Sequence, residues 1–211
     1  MQYLNIITCT YKRNNIDRIQ LLSHLKDILI QTQNIRWIVV DDNNECDKEL
    51  SDFLPDFAKH LFVGPSRDKG HIQRNLALEY ICDNHLDGLI YNADDDNRYD
   101  PRMFTILRQT RKFSILPVGN LGPNLVEKAL LVDGKFKGWD SGWIERKYPV
   151  DMASFCFDSK LVSSLAKPFW DFTGLGGESE FIDKIINSVD EIEFLVHENH
   201  PVYVWHNGLL T

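Results

Sequence analysis

Gly88-Leu89-Ile90-Tyr91-Asn92-Ala93-Asp94-Asp95-Asp96-Asn97 is an apolar run of strand length that delivers three consecutive carboxylates at its end. Adjacent like charges repel, and a chain rarely accepts three of them at the edge of a core unless a cation neutralises them. Oxygen-only ligands favour a hard divalent ion, Mn2+ or Mg2+, which keeps open positions for the phosphates of a substrate. In an open α/β sheet the ligand crevice lies beyond the carboxyl ends of the strands, where this cluster would sit. An acidic turn entering an asparagine loop has the same composition, so the surrounding chain has to decide.

Outward from that strand the pattern alternates. Leu4 to Cys9 reads as a first strand, 15–31 carries apolar residues at helical spacing (Ile16, Ile19, Leu22, Leu25, Ile28, Leu29), and Arg36 to Val40 reads as a buried strand running into Asp41-Asp42. A short strand at Leu61 to Val63 and a helix over 70–82 then lead to the strand at 88–93. Strand, helix, strand implies right-handed parallel crossovers and a Rossmann-like nucleotide-binding N-terminal half. The second half reads as strands at 113–118, 127–132, 135–139, 153–157 and 202–205, with helices at 159–165 and 178–188. Val132-Asp133-Gly134-Lys135 marks a hairpin turn. No internal repeat or Pro/Gly-rich linker separates the halves, so one domain over 1–211 is expected, its halves (1–97 and 98–211) sharing one sheet.

With 211 residues, 43% of them hydrophobic and 26% charged, the chain can bury a sizeable core. A net charge of -8 argues against nucleic acid or an anionic membrane as a partner held by general electrostatics. Cys9, Cys46, Cys82 and Cys156 have no paired spacing, which favours free thiols in a reducing compartment over disulfides or zinc. The N-terminus enters a strand pattern at once and no apolar stretch has membrane-spanning length, so a cytoplasmic location is expected.

Taken in order, Thr10-Tyr11-Lys12-Arg13, Trp37 to Asp42, Gly70 to Leu78, Tyr91 to Asn97, Thr110 to Gly119, Tyr148 to Phe155, Gly177-Glu178-Ser179 and Val204-Trp205-His206 resemble glycosyltransferase family 43, the manganese-dependent β-1,3-glucuronosyltransferases and their plant relatives. The resemblance spans nearly the whole chain. It implies a GT-A fold, an α/β architecture with a mixed, mostly parallel central sheet flanked by helices. It also implies a UDP-sugar donor, Mn2+ (Mg2+ as the substitute), a glycan or glycoprotein acceptor, and inversion at the anomeric carbon. Further domains or a homodimer are compatible with it.

By that likeness Tyr11 stacks on uracil, Asp42 accepts from the uracil N3–H, and Asp41 is a solvated neighbour. Asp96 is the direct metal ligand, Asp95 reaches the ribose and Asp94 supports the site. Arg74, Lys69 and His206 serve the donor, and Glu178, after a glycine-rich loop, is the general base, with Glu180 a decoy two positions on. Glu127 and Asp151 match acceptor-binding residues, and Trp143 offers a sugar-stacking face.

Three departures bear on the donor. Lys69, Gly174 and Gly208 stand where the family has arginines that help hold the donor's carboxylate and phosphates, so a neutral UDP-hexose or UDP-pentose enters beside UDP-glucuronic acid. Two other classes use parts of the same set: a metal-dependent phosphohydrolase or nucleotidyltransferase, and a sugar-nucleotide-binding module without catalysis.

Overall fold

A computed structural model of the chain describes residues 2–66, 70–121, 124–170, 177–195 and 202–209. Strand β1 (Leu4–Thr10) and helix α1 (Arg18–Ile30) open the fold, and β2 (Ile35–Asp41), α2 (Lys48–Phe53) and β3 (Ala58–Phe62) follow. Next come α3 (His71–Asp83), β4 (Leu89–Asn92), β5 (Arg98–Tyr99), α4 (Met103–Leu107), β6 (Phe113–Ile115), β7 (Val118–Leu121), β8 (Asn124–Val132) and β9 (Lys135–Asp140). The chain continues through β10 (Phe155–Asp158), α5 (Lys160–Ser163), α6 (Glu178–Ile185), β11 (Glu193–Phe194) and β12 (Val204–Trp205).

The central sheet has seven strands in the order β11-β6-β10-β4-β1-β2-β3. β1, β2, β3 and β4 run parallel, whereas β10 is antiparallel to both β4 and β6. Alternate residues of β1 and β2 feed opposite faces. Leu4, Ile6, Trp37 and Val39 pack against Leu22, Leu25 and Leu29 of α1, while Ile7, Ile38 and Val40 pack against Ala77, Leu78 and Ile81 of α3. Burial on both faces explains why these strands read as continuous apolar runs.

Helix α1 starts three residues later than its periodicity suggested, because the Asp17 carboxylate accepts from the Ile19 N–H and caps the helix there. The expectation of one shared sheet is corrected by a second, five-stranded sheet, β5-β12-β7-β8-β9. The divide falls inside the segment read as one strand over 113–118. Pro117 has no N–H to donate to a ladder, so β6 stays in the central sheet and β7 leaves it. At the expected hairpin, Asp133 (φ 49°) and Gly134 (φ 70°) both adopt left-handed backbone between β8 and β9, as a two-residue primed turn requires. Helices α2 and α4 and the two-residue strands β5 and β11 were not expected from the pattern.

Candidate active site

Strand order places the site. β1 lies between β4 and β2, so the chain leaves the sheet in opposite senses on either side of it, and loops after the three strands converge at their carboxyl ends. A cavity of about 410 Å3 there is lined by Tyr11 after β1, Asp42 after β2, Asp94, Asp95 and Asp96 after β4, Arg74 and Gln73 of α3, and His206 after β12. Seven of the residues singled out from sequence thus share one cavity. The second sheet contributes through β12, which hands His206 back to the central crevice.

At one end the Tyr11 ring is half exposed and lies under the Arg13 guanidinium, 4.2 Å from ring centroid to Cζ. Asp42 Oδ1 accepts from the Gln73 side-chain amide and the Ser66 backbone N–H, both at 2.7 Å. A Cβ on Gly64 would fall 2.1 Å from that oxygen, so a glycine lets the backbone approach the carboxylate. Asp41, expected to be solvated, is instead buried and bonded to the buried Arg18 at 2.5 Å, with Asp47 on the other arm of the guanidinium at 2.6 Å. Asp41 faces into the α1 side of the sheet and Asp42 faces the cavity, as neighbours at a strand end must.

The acidic cluster is divided among different partners. Asp95 is buried and accepts bidentately from Arg13, 2.7 Å to each oxygen, and from the Thr10 hydroxyl at 2.6 Å. Arg13 also reaches Asp96 at 3.2 Å. Burial and the charge of Asp95 raise the Asp96 carboxyl above its usual range. Asp94 lies 3.4 Å from Arg74, and its desolvation pushes it up to about 7 even though the side chain keeps 24% exposure. Among the described residues no three His, Cys, Asp or Glu side chains form a ready cation cage. The Asp94 and Asp96 carboxyls disfavour their own charge, which is the condition a bound cation relieves.

Beyond Arg74 and His206 lies a second group of polar residues. Burial opposes the charge of Arg74, but Asp94, Glu178 and Asp151 all act to hold it above the usual arginine value. His206 Nδ1 is 3.2 Å from Asp151, whose carboxylate pushes the imidazole up to about 9. Glu178 is the first residue of α6, behind Gly177 at φ 89°, and its carboxylate is mostly buried and 3.3 Å from Arg146. Burial raises its pKa. Glu180 is exposed, which separates the two glutamates. Glu127 is buried, accepting from the Ser141 hydroxyl at 2.6 Å through Oε1, while Oε2 has no partner among the described residues. Trp143 is 45% exposed and carries the Arg146 guanidinium 4.8 Å from its ring centroid. These residues do not line the cavity itself. Lys69 and Gly174 lie outside the described residues. Gly208 is described, and a Cβ there would lie 2.8 Å from that of Arg98.

Gln73 and Arg146 are site residues that the sequence alone does not assign, and Arg13 enters from sequence only as an alternative source of positive charge for the donor. Arg13 and Gln73 sit inside the motif blocks around Tyr11 and Arg74, which was an available signal, but Arg146 has none beyond its charge.

The glycosyltransferase family 43 profile matches residues 25–209. The chain is 31% identical over 217 residues to galactosylgalactosylxylosylprotein 3-beta-glucuronosyltransferase P of Drosophila melanogaster, covering 96% of this chain and 45% of that relative. It is 32% identical over 219 residues to galactosylgalactosylxylosylprotein 3-beta-glucuronosyltransferase 2 of Rattus norvegicus, covering 95% and 67%. The chain therefore spans about half to two thirds of the length of these relatives. Among solved structures, S. aureus TarS 1–349 superposes with a TM-score of 0.59 at 13% identity, over 96% of this chain and 60% of that one. The 4-diphosphocytidyl-2C-methyl-D-erythritol synthase of Anaerococcus prevotii superposes with 0.56 at 10% identity, over 96% and 90%. At these identities the likeness is one of fold, and the fold is of GT-A type. No helix among the described residues is long and apolar enough to cross a membrane.

Proposed function

The chain belongs to glycosyltransferase family 43, and from that premise we propose that it moves a sugar from a UDP-sugar to a hydroxyl of a glycan or glycoprotein acceptor, with inversion. The observation that carries this reading is the continuity of the site. An exposed aromatic face and a braced carboxylate (Tyr11, Asp42) lie at one end of a cavity, three basic side chains (Arg13, Arg74, His206) and an acidic cluster line the rest, and a mostly buried glutamate stands just past them.

In this reading Tyr11 stacks on uracil, and Asp42, fixed by Gln73 and Ser66, accepts the uracil N3–H. Arg74 and the imidazolium of His206 neutralise the diphosphate, a duty the family likeness also gives to Lys69. Asp96 would hold Mn2+, or Mg2+, together with diphosphate oxygens, Asp94 supporting it, and the ion when bound stabilises the charge of the departing UDP. Asp95, tied to Arg13, sets the position of its two neighbours and of the ribose edge. Glu178 takes the proton of the acceptor hydroxyl as that oxygen attacks from the face opposite UDP, which inverts the centre. Its raised pKa makes it a stronger base than a solvated glutamate. Glu127, Asp151 and Trp143 receive the acceptor sugar, Asp151 also keeping His206 charged.

The donor follows from the departures. With glycine at 174 and 208, a carboxylate on the donor sugar would lose charge-assisted partners and its desolvation would go uncompensated. A neutral donor such as UDP-glucose should therefore compete well with UDP-glucuronic acid. A side-by-side assay of UDP-glucose, UDP-glucuronic acid and UDP-xylose for Mn2+-dependent UDP release tests both levels. Release from none of them defeats the transferase reading, and a marked preference for UDP-glucuronic acid defeats only the neutral donor.

A further inference from the structure

Phe169 and Trp170 sit where two helices meet, the one bearing Arg74 and the one bearing Glu178. The Asn75 side chain of α3 donates from Nδ2 to the Trp170 carbonyl and accepts from the Trp170 N–H at Oδ1, both at 2.8 Å. That reciprocal pair imitates a strand pairing and fixes the backbone at Trp170 to the second turn of α3. The indole, 4% exposed, lies nearly parallel to His71 of α3, with ring centroids 5.8 Å apart and planes at 6°, and to Phe181 of α6 at 4.2 Å and 6°. Arg74 is 5.8 Å from the same indole, and the Phe169 carbonyl accepts from Lys184 of α6 at 2.9 Å. Phe181 is three residues past Glu178, hence one helical turn away on the same side.

We propose that Trp170, held by Asn75, is a positioning residue that sets the distance between the Arg74 guanidinium and the Glu178 carboxylate, and so aligns the donor's phosphates with the base. The inference rests on the transferase reading for what the two ends do. The packing argument stands apart from it: a planar ring stacked on both sides resists the sliding that a smaller apolar residue would permit. A displacement of about 1 Å between reacting groups costs on the order of 10²-fold in rate.

The test uses Trp170→Leu, Trp170→Phe and Asn75→Leu in the full chain. Trp170→Leu and Asn75→Leu should keep the Kd for UDP with Mn2+ within about threefold and lower kcat by about tenfold or more, while Trp170→Phe, which keeps a stacking plane, restores most of kcat. A merely structural residue would lower the melting temperature of both variants and leave kcat of the folded fraction unchanged, and that result overturns the proposal. Hydrogen exchange on the ligand-free protein gives a readout independent of turnover. Asn75→Leu should speed exchange in the first turns of both α3 and α6, and a change confined to α3 also overturns the proposal. A wild-type chain without turnover would defeat the transferase reading alone, with the exchange measurement still deciding whether Trp170 joins the helices.

Discussion

At the level of single residues the site is an arrangement of charges that are costly in isolation. Asp96 is raised by burial and by Asp95, so removing it should separate metal from nucleotide binding. Asp96→Ala is expected to fold normally and to bind UDP equally with Mn2+ and with EDTA, whereas the wild type loses most of its UDP affinity in EDTA by calorimetry. Glu178→Gln removes a proton acceptor at nearly constant shape. Turnover should fall on the order of 10²- to 10⁴-fold with UDP-sugar binding retained, and a near-normal kcat would return Glu178 to a helix-end counter-charge. The Asp151–His206 pair has a pH signature. Its folded-state pKa, about 9, lies above the ordinary 6.5, so protonation favours the folded and charged form. That contribution is fully present below pH 6.5 and is lost as pH climbs through about 9. In Asp151→Asn the alkaline fall in UDP affinity should begin roughly two to three pH units lower, in the range of an ordinary histidine. Titration curves that coincide would remove Asp151 from the charge control of His206.

Among the elements, the loop ends of β1 and β2 are held from behind rather than by their own turns. Arg18, on the first turn of α1, grips Asp41 at the end of β2 and Asp47, which also caps α2 and pairs with Lys12. Lys12 stands beside Tyr11, and Asp41 beside Asp42, so this network fixes both sides of the Tyr11–Asp42 end of the cavity. Replacing only Arg18 would strand two carboxylates in a low-dielectric core. Arg18→Leu should cost about 3–5 kcal/mol in urea denaturation, more than its apolar character could return, and weaken UDP binding through Tyr11 and Asp42. A loss under about 1 kcal/mol would mean that the network is hydrated and weak. Helix α3 has the same dual duty. Gly70 at φ 86° starts it, and a Cβ there would lie 2.9 Å from Arg74, so the left-handed glycine both caps the helix and makes room for the guanidinium.

For the molecule as a whole, the cavity draws on both halves of the chain: Tyr11, Asp42 and the Asp94 to Asp96 cluster come from the first, His206 from the last strand. A ligand that bridges them stabilises the entire fold. UDP with Mn2+ at a hundred times its Kd should add about 2.7 kcal/mol, seen as a rise in melting temperature that EDTA removes. An unchanged melting temperature at high UDP and Mn2+ would mean that the folded chain does not bind the nucleotide. Much of this architecture was legible beforehand. Strands β1, β2 and β4, the acidic end of β4 and the hairpin at Asp133-Gly134 follow from periodicity and turn chemistry, because burial on one or both faces and left-handed backbone leave local marks on residue type, whereas β3 starts three residues before the strand expected at Leu61 to Val63. The division into two sheets was not legible, since Pro117 shows where a ladder stops but not which sheet the chain joins next. Nor were the pairings Arg13–Asp95, Arg18–Asp41, Arg146–Glu178 and Asn75–Trp170, which span 82, 23, 32 and 95 residues of chain. An arginine or asparagine reads alike whether it faces water or a buried carboxylate. The sequence by itself determined which segments become strands and helices and which strand end carries the acids; only the tertiary structure decided which charges meet, because their partners are chosen by the crossing of distant elements and not by spacing along the chain.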